Sequence, residues 1–243
     1  MERLISVLET KILEMKEKTK GKFDFADECL DDLYSVYPFN KFEYVISHLI
    51  ATKTITLQEY LHMRNSYLER NKFLYVFETT APRTFGETWA QRHLNEVVPE
   101  LKMPSVILDP TYSGEYDFWY EGIKIEVKAS RAVKRKSGDS LIIKALSSDS
   151  KSAFDMNFQQ IKPACCDVFV WIAVWRDKIR YWVLSSDEVK NNKYYSVGQH
   201  RGNIGEGQLW LKDTNIEEFK AYEVGVRDIL SAIVKKSKSN KLS

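Results

Sequence analysis

The sequence predicts an α/β fold, a mixed central sheet flanked by helices, with a helical region at the N-terminus. Three observations lead there. Residues 1–80 carry apolar side chains at helical spacing. After residue 116 the period becomes two, with Ile123, Ile125 and Val127 alternating with Lys124, Glu126 and Lys128. Residues 168–175 are apolar on both faces, which suits a strand at the centre of a sheet. The expected division is a helical region over 1–80 and an α/β core over 81–243.

In the first region, Leu4, Ile5, Val7, Leu8, Ile12 and Met15 form a helical stripe that Gly21 ends. A second helix is expected over 25–33, a third over 42–50 and a fourth over 57–74. The connector 51–56 suits a helix-turn-helix, though any helical bundle contains such joints. In the core, Thr84-Phe85-Gly86-Glu87 has capping-box spacing and opens a helix through Val97, which Pro99 and Pro104 close. Residues 106–108 read as a short strand, 109–110 and 113–114 as turns, and 116–120 and 123–129 as strands. A polar, basic stretch leads to 141–146, and a helix is expected over 152–161. Residues 168–175 and 179–184 form a hairpin, 198–207 a loop, and 227–236 a closing amphipathic helix.

Composition excludes more than it selects. The chain has 243 residues, 44% of them apolar and 29% charged, so a sizeable core forms without staples. Lys and Arg number 36 against 34 Asp and Glu, so any basic surface is local. Three cysteines, Cys29, Cys165 and Cys166, make neither a disulfide framework nor a four-ligand zinc site. His48, His62, His93 and His200 are scattered, and no P-loop or Gly-x-Ser-x-Gly stands in the chain. No apolar run is long enough to span a membrane, and Glu2 and Glu9 interrupt any signal peptide. A soluble, cytoplasmic protein is the expectation.

The window Tyr116 to Lys128 carries the chemistry. Glu121-Gly122 reads as a two-residue hairpin turn. That turn pairs Tyr120 with Ile123, Trp119 with Lys124, Phe118 with Ile125 and Asp117 with Glu126. Opposed residues share a face, so Asp117, Glu126 and Lys128 converge. Two facing carboxylates repel unless a cation lies between them, and Mg²⁺ accepts such hard oxygen ligands. The lysine then serves an attacking water or a phosphate, the equipment of metal-assisted phosphodiester hydrolysis. The ordinary alternative is a solvated Lys-Glu-Lys strand face.

Asp117 followed by Glu126-Val127-Lys128 resembles the D…(D/E)-x-K core of the PD-(D/E)xK nucleases, to which most type II restriction endonucleases belong. The expected order of elements over about 84–185, helix–strand–strand–strand–helix–strand, is similar to that family's core. The resemblance implies Asp117 and Glu126 as metal ligands, the Val127 carbonyl as a further ligand, and Lys128 as the catalytic lysine. It also implies a metal-completing role for Glu87, which the capping box explains without function, and a site-facing role for Gln160. Glu115-Tyr116 stand where some members have a proline. Asp109-Pro110 competes for the first acid but lies in a turn that cannot pair with Glu126.

Lys128, Arg131, Lys134, Arg135 and Lys136 follow the motif closely, and such clusters bind phosphates. The loop with Gln199, His200, Arg201, Asn203 and Gln208 carries side chains suited to base edges. The sequence thus predicts a Mg²⁺-dependent type II restriction endonuclease acting on double-stranded DNA as a homodimer. The rivals are a repair or junction-resolving endonuclease of the same superfamily and a non-catalytic DNA-binding regulator using the helices over 42–74.

Overall fold

A computed structural model describes residues 10, 37–81, 84–198 and 206–239. The expected helices over 4–15 and 25–33 lie outside the described residues, apart from Thr10. The chain divides into two compact units, Met1–Arg64 and Asn65–Ser243. The sequence puts its boundary at residue 80 instead. Leu74, Val76 and Phe77, in the 3₁₀ segment Leu74–Phe77, are buried, and the Phe73 amide donates to the Arg176 carbonyl at 2.9 Å. These contacts join residues 71–79 to the larger unit.

Described residues of the smaller unit include helix α1 (Glu43–Ala51) and the start of α2 (Leu57–Arg70), close to the expected ranges. Thr56 and Glu59 cap α2 reciprocally. The Glu59 amide donates to the Thr56 hydroxyl at 3.1 Å, and the Thr56 amide donates to the Glu59 carboxylate at 2.7 Å.

The larger unit is mixed α/β, with a mixed sheet flanked by helices. A π-helical segment, Thr84–Trp89, runs into α3 (Ala90–Val97). The capping-box reading of Thr84 and Glu87 therefore does not mark the start of an α-helix. The α-helical part begins after Trp89, which makes no side-chain cap. Strands β1 (Phe118–Tyr120) and β2 (Ile123–Arg131) follow as a hairpin, then β3 (Val133–Lys134) and the short α4 (Leu141–Lys144). Next come β4 (Phe154–Ile161), β5 (Val168–Val174), β6 (Ile179–Ser185), α5 (Ser186–Lys190), β7 (Tyr195–Val197) and β8 (Gly207–Lys212). The 3₁₀ segment Ile216–Tyr222, β9 (Glu223–Val224) and α6 (Ile229–Ser239) close the described chain.

One sheet has the order β1-β2-β5-β6-β9 and the other β3-β4-β8-β7. In the first, β2 and β5 are parallel and the remaining pairs antiparallel. Every residue of β5 is buried, as a strand apolar on both faces must be. Helix α3 packs on β2, and α6 packs on β5 and β6. The other face of that sheet meets the second sheet. Phe169, Trp171, Ala173, Trp175 and Trp182 form one core with Phe154, Met156, Phe158, Ile161, Leu209 and Leu211. Phe158 stacks on Trp171 with centroids 4.9 Å apart.

Two expected elements differ. Residues 154–161 form strand β4, not a helix. Phe154, Phe158 and Ile161 stand at i, i+4 and i+7, which mimics a helical stripe, but Met156 is buried too and sets a period of two. A bulge between Phe158 and Ile161, with Gln160 at φ +53°, inserts the extra residue that returns Ile161 to the core. Residues 106–108 form a turn rather than a strand: the Leu108 amide donates to the Ser105 carbonyl at 3.0 Å.

Candidate active site

The β1–β2 hairpin has three of the four expected pairs, Phe118↔Ile125, Trp119↔Lys124 and Tyr120↔Ile123; the fourth, Asp117 with Glu126, is not a rung of the ladder, which ends at Phe118. Its turn places Glu121 at φ +45° and Gly122 at φ +85°, the pair of left-handed conformations a two-residue turn needs to match strand twist. Glycine adopts this geometry without strain, whereas Glu121 meets a penalty of about 1 kcal/mol.

That register delivers Asp117 to the edge of β2. Its amide donates to the Ile125 carbonyl at 3.0 Å. Its carboxylate accepts from the Val127 amide at 2.8 Å and from the Gln91 side-chain amide at 2.6 Å. Within a strand, the N–H and C=O of one residue face the same edge. The Val127 carbonyl therefore looks toward the Asp117 side. Glu126 and Lys128 stand beside Phe169 and Trp171 of β5, so they project from the face that meets the second sheet. The Lys128 Nζ lies 2.6 Å from the Glu126 carboxylate, with the two side chains only 17% and 14% exposed.

Burial sets the charge state. It pushes Glu126 up to about 7, against the pull of the Lys128 ammonium, and the Asp117 charge adds to the rise. Burial also raises Asp117, but the Val127 amide, the Lys128 ammonium and hydrogen bonds from Glu126 and Gln91 oppose it. Both carboxyls are thus raised by burial, and each bears on the other. Two buried carboxyls whose charges oppose each other, with a main-chain carbonyl facing the Asp117 side, fit a hard divalent cation that keeps some of its water. Among the described residues no three His, Cys, Asp or Glu side chains cluster for a metal. Any such site is therefore built on two acids and that carbonyl.

Glu87 is exposed and does not join the acids. The residue that helix α3 contributes is Gln91, one turn later. The wider i→i+5 turn of Thr84–Trp89 shifts which residues face the sheet, and no sequence signal marks it. The helix is held in place by His93, whose Nε2 lies 2.7 Å from the Tyr181 hydroxyl and whose ring stacks between Trp89 and Tyr181. Burial keeps that imidazole below its ordinary pKa. Sequence reasoning also misses Tyr112. Burial raises its phenol, and the charges of Asp117, Glu115 and Glu126 add to the rise, so it borders the site.

Other expected site residues are placed differently. Gln160 is exposed at the bulge of β4, on a strand and not a helix. Arg131 is structural: its guanidinium donates to the Val76 and Thr79 carbonyls at 3.1 and 2.6 Å and lies 4.1 Å from the Phe85 ring centroid. Burial lowers its pKa to about 10. Arg135 pairs with Asp155 at 2.9 Å and Asp213 at 2.7 Å. Of the four cations after Lys128, Lys134 and Lys136 are the exposed ones. Gln199, His200, Arg201 and Asn203 lie outside the described residues, and Gln208 sits on β8, accepting from the Asn157 amide at 3.0 Å.

No helix among the described residues is long and apolar enough to cross a membrane. No protein-family model and no curated protein matches the chain.

Proposed function

We propose that this protein is a Mg²⁺-dependent endonuclease of the PD-(D/E)xK kind, cutting double-stranded DNA at specific sites as type II restriction enzymes do. The observation that carries the reading is that Asp117, whose carboxylate accepts from the Val127 amide at 2.8 Å, meets the same strand as Glu126 and its partner Lys128, 2.6 Å apart. The residue types and their spacing in the chain support it, since Asp117 followed by Glu126-Val127-Lys128 resembles the D…E-x-K pattern. The fold departs from the expected order in having strand β4 where a helix was expected.

Asp117, Glu126 and the Val127 carbonyl would hold the cation, which supplies Lewis acidity to a phosphodiester when bound. Gln91 and the Val127 amide orient the Asp117 carboxylate. Glu126, raised by burial, would take part as a carboxylate once its proton has passed to bulk water. Lys128, held against Glu126 at 2.6 Å, would serve the attacking water or the charge that develops on the phosphate.

The test is digestion of a sequenced phage genome with Mg²⁺ or with EDTA. Discrete, mappable fragments in Mg²⁺, absent in EDTA and absent for Glu126→Ala, are expected. Cleavage confined to branched DNA would assign a junction-resolving enzyme. Duplex that is bound and left whole would assign the regulator.

A further inference from the structure

Lys162 directly follows strand β4, outside the D…E-x-K set. Ile161 stands opposite Gly207 of β8, so the antiparallel ladder brings the next residues, Lys162 and Glu206, together. The Lys162 Nζ lies 2.9 Å from the Glu206 carboxylate. The Glu206 side chain is 10% exposed, whereas that of Lys162 is 49% exposed.

Two sets of contacts bring this lysine to the candidate acids. Ile161 belongs to the core that holds Phe169 and Trp171, the residues beside Glu126 and Lys128. After Lys162 the chain turns, with the Cys165 amide donating to the Lys162 carbonyl at 3.0 Å. It then ties to β2 just ahead of Glu126. The Asp167 amide donates to the Lys124 carbonyl and the Asp167 carboxylate accepts from the Lys124 amide, both at 2.8 Å. Charges agree with this placement. The hydrogen bond to Glu206 raises the Lys162 pKa, and the Glu126 charge adds to the rise. Burial raises the Cys165 thiol in that turn, and the thiol responds to Lys162, Glu126, Glu115 and Lys128 together.

The lysine is held and still open. An ammonium has three donors, and contact with one carboxylate oxygen engages one of them. The buried Glu206 fixes its position, as outer partners orient the groups of other charged sites. The exposed half of the side chain leaves the remaining donors to an incoming anion. Lys128 is engaged by Glu126, and Arg131 and Arg135 are bound within the fold. A compact ammonium suits a phosphate, which it binds as a point charge.

We propose that Lys162 grips a backbone phosphate of duplex DNA next to the phosphodiester held at Asp117 and Glu126. The contact is the same before and during bond breaking, so it contributes to affinity and not to the chemical step. This rests on the endonuclease reading, and its test separates the two.

Duplexes carrying the mapped cut site would be bound in Ca²⁺, which allows binding without cutting, and cut in Mg²⁺. Anisotropy over a range of salt reads affinity and its slope, and single-turnover cleavage at saturating protein reads the chemical step. Lys162→Gln should lower the log–log slope by about 0.9 and weaken binding roughly tenfold. Lys162→Arg should keep both, and the saturated rate of each variant should stay within about twofold of wild type. Lys162→Gln with Glu206→Gln also removes the buried charge, so it should keep the thermal midpoint and show the same lowered slope. Replacing single phosphates by uncharged methylphosphonate then locates the contact. One replacement flanking the cut should weaken wild-type binding roughly tenfold and leave the double variant unaffected. An unaltered slope, or equal methylphosphonate losses in wild type and double variant, makes Lys162 a structural partner of Glu206 and overturns the phosphate contact alone. A sensitive phosphate far from the cut overturns its place beside the acids. Duplex that the wild type leaves unbound or uncut overturns the endonuclease reading, and the contact with it.

Discussion

Glu126 and Asp117 differ in what their removal exposes. Asp117 accepts from the Gln91 amide and the Val127 amide, so Asp117→Ala leaves two part-buried donors unpaired. It should abolish cleavage and cost about 1–3 kcal/mol in urea unfolding. Glu126→Ala should abolish cleavage with a smaller loss, because its partner is the flexible Lys128 side chain and not two amides fixed in the fold. Equal losses for the two variants would contradict this hydrogen-bond pattern. The raised Glu126 carboxyl has a pH signature. The Glu126 carboxyl is raised from 4.5 to about 7 on folding, so the folded state binds the proton more tightly than the unfolded chain. Its stability contribution is whole below about pH 4.5 and is lost as pH rises through 7. The metal-free thermal midpoint should therefore fall between pH 5 and pH 8, Glu126→Gln should flatten that slope, and Mg²⁺ should bind more tightly over the same interval. A flat wild-type profile would refute the raised Glu126 carboxyl. Gln91 is a positioning residue. Gln91→Ala should raise the Mg²⁺ concentration for half-maximal cleavage by roughly 10–100-fold, and an unchanged value would remove it from the site.

At the scale of elements, the hairpin was legible because its evidence is local. A two-residue turn with glycine and strict alternation fixes the register, and the register fixes which side chains meet. Strand β4 was not legible, because one inserted residue near Gln160 disguises a period of two as a helical stripe. Gln91 was hidden for a similar reason, since the π-helical entry changes which face of α3 meets the sheet. The basic segment shows the limit of counting charges: Arg131 and Arg135 are consumed inside the fold. Lys134→Ala with Lys136→Ala should therefore reduce the salt dependence of DNA binding, by up to about 0.9 in log–log slope per contact. Arg131→Ala should instead cost about 2–4 kcal/mol, by stranding two carbonyls and removing a stacked cation, and leave the slope alone. The reverse result would return Arg131 to the DNA surface.

Across the whole molecule, the α/β class and the central strand β5 were readable from composition and period, but the second sheet was not. Its strands pair over long separations, as Met156 does with Leu211, and nothing local announces such partners. Symmetry supplies the remaining expectation. The D…E-V-K set occurs once per chain, and the strands of a duplex run in opposite directions. Two centres related by a two-fold axis cut both strands of a palindrome, so light scattering of the Ca²⁺ complex should give two chains per duplex. One chain per duplex would indicate sequential nicking.

The parallel pairing of β2 with β5 also orders events in time. A ribosome releases the acids of the hairpin well before it releases β5, because the crossover carrying β3, α4 and β4 lies between them. A two-stranded hairpin alone is marginal in water. Until Phe169 and Trp171 have emerged to stand beside Glu126 and Lys128, the nascent chain carries the motif without the wall that buries it. The geometry of the candidate site is therefore acquired late in synthesis, and an unfinished polypeptide carries these acids without the fold that sets them in place.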